Sequence, residues 1–200
     1  KHELTIELNI MGLVKVLEAA IKYNVKQIFY ASTMYVYSPF GSFYRATKQA
    51  AEMIIEAYHE KYKLDYTFLR YGSLYGPRSQ SWNGINKFIR EILLYGKVNY
   101  FGLGKEQREY IHVSDAAKLS VDIMNKKYKN CAVNLTGQQL VKVSDMLSVL
   151  FEIAGKKEKI IYNKKKIFLY HYGNTPYRYT PKKAKKVIPT EFVDFGQGVL

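Results

Sequence analysis

Gln27-Ile-Phe-Tyr-Ala-Ser-Thr-Met-Tyr-Val-Tyr-Ser-Pro-Phe-Gly-Ser-Phe-Tyr-Arg-Ala-Thr-Lys48 is the stretch that decides how this chain reads. Its first six residues have the composition of a buried strand, and Thr33 follows at the carboxyl end. A short turn with Pro39 and Gly41 leads to a helix predicted over Ser42–Tyr62. Tyr44 and Lys48 stand at i and i+4 on that helix, so they share one face. A free tyrosine has a pKa of roughly 10 and is a poor base at pH 7. An ammonium within about 4–6 Å lowers that value by about 1–3 units. The pair therefore reads either as a proton shuttle or as an ordinary Tyr/Lys pair on a helix rich in both residues. Open α/β sheets bind ligands just outside the carboxyl ends of their strands, which is where Thr33 falls.

The flanking segments continue a strand–helix alternation. Leu13, Val16, Leu17, Ala20 and Ile21 have helical spacing over 9–23, and Asn24 suits a left-handed stop. In the Tyr44 helix, Phe43, Thr47, Ala50, Ile54 and Tyr58 are expected to face the core, with Tyr44, Lys48, Ala51 and Ile55 on the adjacent stripe. Asp65–Tyr71 is the next strand and 72–77 a loop. Helical crossovers imply parallel strands. A helix over 83–95 closed by Gly96, a short strand over 99–101, a strand over 109–113 and a core strand over 133–135 follow. Ser114 or Asp115 is expected to cap a helix reaching Met124. Ser144 is expected to cap 145–154 before Gly155, and 181–187 to form a last short helix.

At 200 residues, 48% hydrophobic, the chain has enough apolar side chains for a packed core. Cys131 is the single cysteine, which excludes an internal disulfide, and its apolar strand predicts an inert core thiol. No run of about 18 apolar residues and no signal peptide is present, so a cytoplasmic protein away from membranes is expected. The formal net charge is +14, but lysines scatter along the chain and no nucleic-acid module is visible. A positive field that attracts a nucleotide diphosphate suits this better than a nucleic-acid partner. His2, His59 and His171 lack ligand spacing, and no metal site is expected.

Four blocks in order carry a resemblance: Asn9-Ile-Met-Gly12, the Thr33/Tyr44/Lys48 stretch, Arg70-Tyr-Gly-Ser-Leu-Tyr-Gly-Pro-Arg78 and Arg108-Glu-Tyr-Ile-His-Val-Ser-Asp115. The chain resembles the extended short-chain dehydrogenase/reductases, in their NAD-dependent epimerase/dehydratase branch, and is UDP-glucose 4-epimerase-like. The resemblance implies a partial Rossmann-like, doubly wound parallel sheet over 1–78 and 112–136, and a smaller α+β substrate lobe over 79–111 and 137–200. It implies NAD as cofactor, with NADP an alternative. Tyr44 would be the general acid/base, Lys48 would lower its pKa and bind the nicotinamide ribose, and Thr33 would hold the reacting oxygen. Asn9 and Gly72 would lie on the cofactor side, although Asn9 fits a plain helix start equally well. Ser73, Asn83, Arg108 and Arg178 would contact the nucleotide sugar, the two arginines through its diphosphate. His112 and Asp115 read as structural, a packed imidazole and a helix cap.

Three departures refine that expectation. Family dehydratases and decarboxylases place an acid shortly after the Thr/Ser, whereas this chain has Met34-Tyr35. Reversible oxidation at C4 of a UDP-hexose, hence epimerisation, or one-way keto-sugar reduction remains. The segment between Tyr37 and Tyr44 is short, and Ser73 stands where the family has asparagine. Finally, no G-x-G-x-x-G or G-x-x-G-x-x-G occurs; Gly102-Leu-Gly104 lacks the rest of the fingerprint. The chain is therefore expected to be part of a longer polypeptide, or to receive the missing strands from another chain. A homodimer through helices 9–23 and 42–62 is implied, in a setting of surface-polysaccharide synthesis. A non-catalytic sugar-nucleotide module is the alternative outside enzymes.

Overall fold

Two seven-residue runs, Gln27–Thr33 and Asp65–Tyr71, lie side by side in parallel, with Gln27 opposite Asp65 and Thr33 opposite Tyr71. Parallel neighbours need a long crossover, and the 21-residue helix Ser42–Tyr62 supplies it. The computed structural model describes residues 2–163 and 173–176.

In chain order the elements are α1 (His2–Ile6), a π-helical turn (Glu7–Met11), α2 (Gly12–Lys22), β1 (Gln27–Thr33), a 3₁₀ turn (Met34–Tyr37), α3 (Ser42–Tyr62), β2 (Asp65–Tyr71) and β3 (Ser73–Tyr75). Then come α4 (Gly84–Tyr95), β4 (Val98–Tyr100), β5 (Gln107–His112), α5 (Val113–Asp122), a 3₁₀ turn (Lys126–Tyr128), β6 (Cys131–Leu135), β7 (Leu140–Lys142), α6 (Val143–Ile153) and β8 (Ile160–Tyr162). The main sheet is all parallel in the order β1-β2-β6. A second sheet, β3-β5-β7, is mixed, and β4 pairs in parallel with β8. This is the expected mixed α/β architecture. Among the described residues, no helix is long and apolar enough to cross a membrane.

Each sheet region has its own core. Leu17 and Ala20 of α2, Ile55 of α3, and Tyr66 and Phe68 of β2 bury together. Phe68 stacks on Tyr66 at 4.5 Å and meets Tyr30 edge-on at 6.5 Å. Ile92, Val98, Tyr100, Val143, Leu147 and Phe151 form a second cluster, joining α4, β4 and α6. Leu69, Ile123 and Leu135 make a third, under β6.

Several local expectations are corrected. The helix expected over 9–23 begins at His2 and passes through a π turn, so Asn9 lies inside it rather than at its start. The expected loop 72–77 contains β3, because Ser73, Leu74 and Tyr75 pair with Tyr110, Ile111 and His112. Helix α5 is capped by neither Ser114 nor Asp115: His112 is the cap, its Nδ1 accepting from the Ser114 amide, and the helix ends at Asp122. Ser144 does not cap α6, which starts at Val143; its hydroxyl bonds Asp145 instead. On α3, Thr47 is buried as expected, but Phe43 is exposed and Ala51, Glu52 and Ile55 are buried. The helix thus leans on the stripe that also carries Lys48. Cys131 is only half-buried, its thiol donating to the Tyr128 carbonyl. Residues 181–187 and Arg178 lie outside the described residues.

Phe68 sits at the centre of the first core, 2% exposed. Its truncation in Phe68→Ala should lower unfolding free energy by about 3–5 kcal/mol in urea denaturation. A loss under ~1 kcal/mol would mean that this core does not hold the sheet.

Candidate active site

Thr33 closes β1 and is nearly buried, and its hydroxyl accepts from the Tyr35 amide at 3.3 Å, capping the 3₁₀ turn. The chain enters α3 through Gly41 at φ 108, where a Cβ would come within 2.7 Å of the Tyr35 ring. Only glycine holds that left-handed conformation with so close a neighbour. This tight entry lays Tyr35 against Tyr44, edge to face at 5.9 Å. Tyr44 itself is 45% exposed in the first turn of the helix.

Lys48 is one turn further on the same face. Its Nζ stands 6.0 Å from the Tyr44 ring centre and 4.8 Å from that of Tyr30, and donates to the Ala31 carbonyl at 2.8 Å. Burial lowers the Lys48 pKa from its ordinary value, and the Glu52 carboxylate opposes that fall. Burial, with Tyr44 and Glu52 nearby, pushes the Tyr30 phenol up to about 12. The structure thus gathers Tyr44, Lys48 and the end of β1 at one corner of the parallel sheet.

Asn9 reaches this corner indirectly. Its Nδ2 donates to Thr47 Oγ1 at 2.9 Å, and that hydroxyl bonds back to the carbonyls of Phe43 and Tyr44. Gly72 leaves β2 with its amide on the Leu135 carbonyl, and a Cβ there would press on Thr136 at 3.1 Å.

The other expected residues stand elsewhere. Ser73 opens β3. Asn83 caps α4, accepting from the Ile85 and Asn86 amides and donating to the Leu74 carbonyl, so its side chain is engaged by the fold. Arg108 lies on β5 opposite Val141, and its Nε is buried without a hydrogen-bond partner among the described residues. Nearby, burial drives the Tyr100 phenol far above its ordinary range, and the Arg108 charge opposes that rise. An open cleft of about 580 Å³ lies between β5, α5 and residues 136–139. Tyr75, Tyr110, His112, Asp115 and Lys118 help line it; Tyr44, Lys48, Thr33 and Arg108 do not.

One part of the site was missed from sequence. Glu52 is 8% exposed and accepts from Ser32 Oγ at 2.5 Å and from Arg70 at 3.0 and 2.6 Å. Arg70 also donates to Tyr37, whose hydroxyl bonds Asn134. The available signal was spacing: Glu52 falls four residues after Lys48 and eight after Tyr44, on one helical face.

Residues 1–135 match the model of the NAD dependent epimerase/dehydratase family. A UDP-glucuronate 4-epimerase of Thermodesulfobacterium geofontis is 29% identical over 168 residues, covering 77% of this chain and 52% of that protein. The UDP-glucose 4-epimerase of Thermotoga maritima, solved with UDP-glucose, superposes with a TM-score of 0.73 at 28% identity, over 87% of this chain and 61% of that one. A Bacillus cereus UDP-glucuronic acid 4-epimerase, solved with a fluorinated UDP-sugar and NAD, shares the fold at a TM-score of 0.77 and 23% identity, over 84% and 57%. The chain spans about half the length of the curated relatives it matches.

The Asn9–Thr47 contact generates a stability prediction. Thr47→Val keeps the shape but strands the Asn9 amide, and should destabilise by about 1–3 kcal/mol in urea, whereas Thr47→Ser should lie near wild type. Equal stability of the valine and serine variants would show that the bond does not tie the two helices.

Proposed function

The chain belongs to the NAD dependent epimerase/dehydratase family, and from that premise we propose that it carries the acid/base half of a NAD(P)-dependent nucleotide-sugar 4-epimerase. The observation behind this reading is the Lys48 ammonium 6.0 Å from the Tyr44 ring on one helical face, beside the strand end that bears Thr33. Tyr44 takes the proton from the sugar hydroxyl and returns it. Lys48 favours the phenolate electrostatically, and Thr33 Oγ1 holds the reacting oxygen. The cofactor supplies a hydride acceptor when bound. Only one of three Lys48 donors is taken by Ala31, a donor set that suits ribose hydroxyls. Gly72 and Asn9 fall on the cofactor side, Asn9 through Thr47 rather than directly. No glycine loop for the pyrophosphate occurs in these 200 residues.

In this reading, residues 1–78 with 112–136 are the nucleotide-binding portion and 79–111 with 137–200 the sugar lobe. The sugar is a UDP-hexose whose diphosphate meets the Arg108 guanidinium, with Ser73 and Asn83 beside it and Arg178 as a second phosphate ligand. Exposed Leu8, Met11, Val16 and Met53 support a homodimer through the helices around 9–23 and 42–62. The second edge of β1, unpaired among the described residues, suits the strands that would carry the glycine loop. The setting we propose is cytoplasmic, in the synthesis of sugar polymers.

Incubation of the chain, joined to the strands that carry the glycine loop, with NAD and a panel of UDP-hexoses tests this. C4 isomers should interconvert without net cofactor consumption, and Tyr44→Phe should slow this about 10²–10⁴-fold while keeping the native fold. Net consumption of reduced cofactor would favour keto-sugar reduction instead. The half-length match favours one other reading, a sugar-nucleotide-binding module: calorimetry would then show UDP-sugar binding with no dinucleotide binding and no turnover. Wild-type rates in Tyr44→Phe would remove Tyr44 from the mechanism.

A further inference from the structure

We infer that Glu52 is a positioning residue for Lys48: one turn further along α3, its buried carboxylate is the fixed counter-charge that keeps the ammonium between Tyr30, Ala31 and Tyr44. The inference deepens the acid/base reading above and rests on it for its functional meaning.

Glu52 is 8% exposed, and a carboxylate so placed is retained only when paired and fully hydrogen-bonded. Three donors meet it: Ser32 Oγ and Arg70 Nε on Oε1, and Arg70 Nη2 on Oε2. Arg70 is itself held by Tyr37, over whose ring it also lies at 4.8 Å. The carboxylate is thus locked to β1 through Ser32 and to β2 through Arg70. Lys48 grips the residue next to Ser32, since its Nζ donates to the Ala31 carbonyl. Two successive residues of β1 therefore fix a cation and an anion that are one turn apart on α3. A movement of Glu52 would carry the strand end, and Thr33 with it.

The electrostatics point the same way. Burial works against the charged form of Lys48, and Glu52 works for it. The groups around the ammonium are Tyr30 from β1, Tyr44 and Glu52 from its own helix, and, beyond Glu52, Arg70 of β2 and Tyr37 of the 3₁₀ turn. Of these, Glu52 is the anion at neutral pH. Without it, a half-buried lysine releases its proton more readily, and the field that favours a Tyr44 phenolate weakens.

The test is an NMR titration of isotope-labelled lysine side chains in the full 200-residue chain, with Lys48 assigned by Lys48→Arg. It needs neither nucleotide nor turnover, so its failure and a failure of the epimerase reading are distinct results. In wild type, Lys48 should titrate below the exposed lysines. In Glu52→Gln its midpoint should drop further, by about one pH unit. Because Glu52→Gln leaves Arg70 unpaired, Glu52→Gln/Arg70→Met serves as the second variant, and a smaller drop in the same direction is expected there, since the Arg70 charge is lost as well. An unchanged Lys48 midpoint in a variant that keeps the native melting transition would overturn the proposal. So would loss of the fold in both variants, since the carboxylate's work would then be to hold the fold.

Discussion

Seven consecutive parallel pairings between β1 and β2 are the constraint on which the rest depends. Parallel alignment puts the carboxyl ends of β1, β2 and β6 on one side of the sheet, at Thr33, Tyr71 and Leu135. It also forces the connection to cross back over the sheet, and α3 is that connection. Once α3 crosses in this register, its first turns must begin beside the strand end that it has just left. Tyr44 and Lys48 therefore stand near Thr33 for topological reasons, before any particular side-chain bond is counted. The register then decides finer matters. Ser32 opposes Arg70, so a single carboxylate from α3 can bond to both strands at once.

That carboxylate explains why a helix with so many polar residues packs closely. The buried stripe of α3 is Thr47, Ala51, Glu52 and Ile55, two of them polar. Thr47 is satisfied by its own helix and by Asn9, and Glu52 by Ser32 and Arg70. A buried ion pair is weak evidence of net stability, because desolvation offsets much of the attraction. Its contribution is geometric: only one rotation of α3 about its axis satisfies both Thr47 and Glu52. That rotation is also the one that brings Lys48 over Tyr30 and onto Ala31.

The main sheet and its crossover were legible because they rest on local signals. The run 27–32 and the strand Asp65–Tyr71 are rich in aromatic and aliphatic residues, and the helix Ser42–Tyr62 was readable to the residue. That Tyr44 and Lys48 share one helical face followed from their spacing; their proposed role came from the neighbouring blocks. What escaped was decided by tertiary pairing. Ser73, Leu74 and Tyr75 look like a turn until β5 arrives beside them. His112 caps α5 with a ring nitrogen, a role that ordinary cap preferences assign to serine or aspartate. Glu52 reads as a solvated helix charge until β2 places Arg70 against it. The π turn at Asn9 likewise has no sequence signature; it is visible only in the way that Asn9 meets Thr47.

The choice among reactions turns on what stands beside Thr33. Met34 is wholly buried, turned into the protein, and Tyr35 lies with its ring edge to face with that of Tyr44. Neither position offers a carboxylate to a proton on a carbon next to the oxidised centre, as elimination or decarboxylation of the sugar would require. Glu52 is the acid on the buried side of this corner, and it is occupied by Arg70 and Ser32. Its role there is electrostatic, through Lys48, not proton exchange with a substrate. Among the described residues, the Tyr44 phenol and the Thr33 hydroxyl stand at this corner with Lys48 beside them, and Met34 and Tyr35 add no carboxylate. Reversible oxidation at a single carbinol carbon, as in the C4 chemistry proposed above, needs one proton and one hydride to leave and return, and a phenol beside an ammonium suits the proton's part.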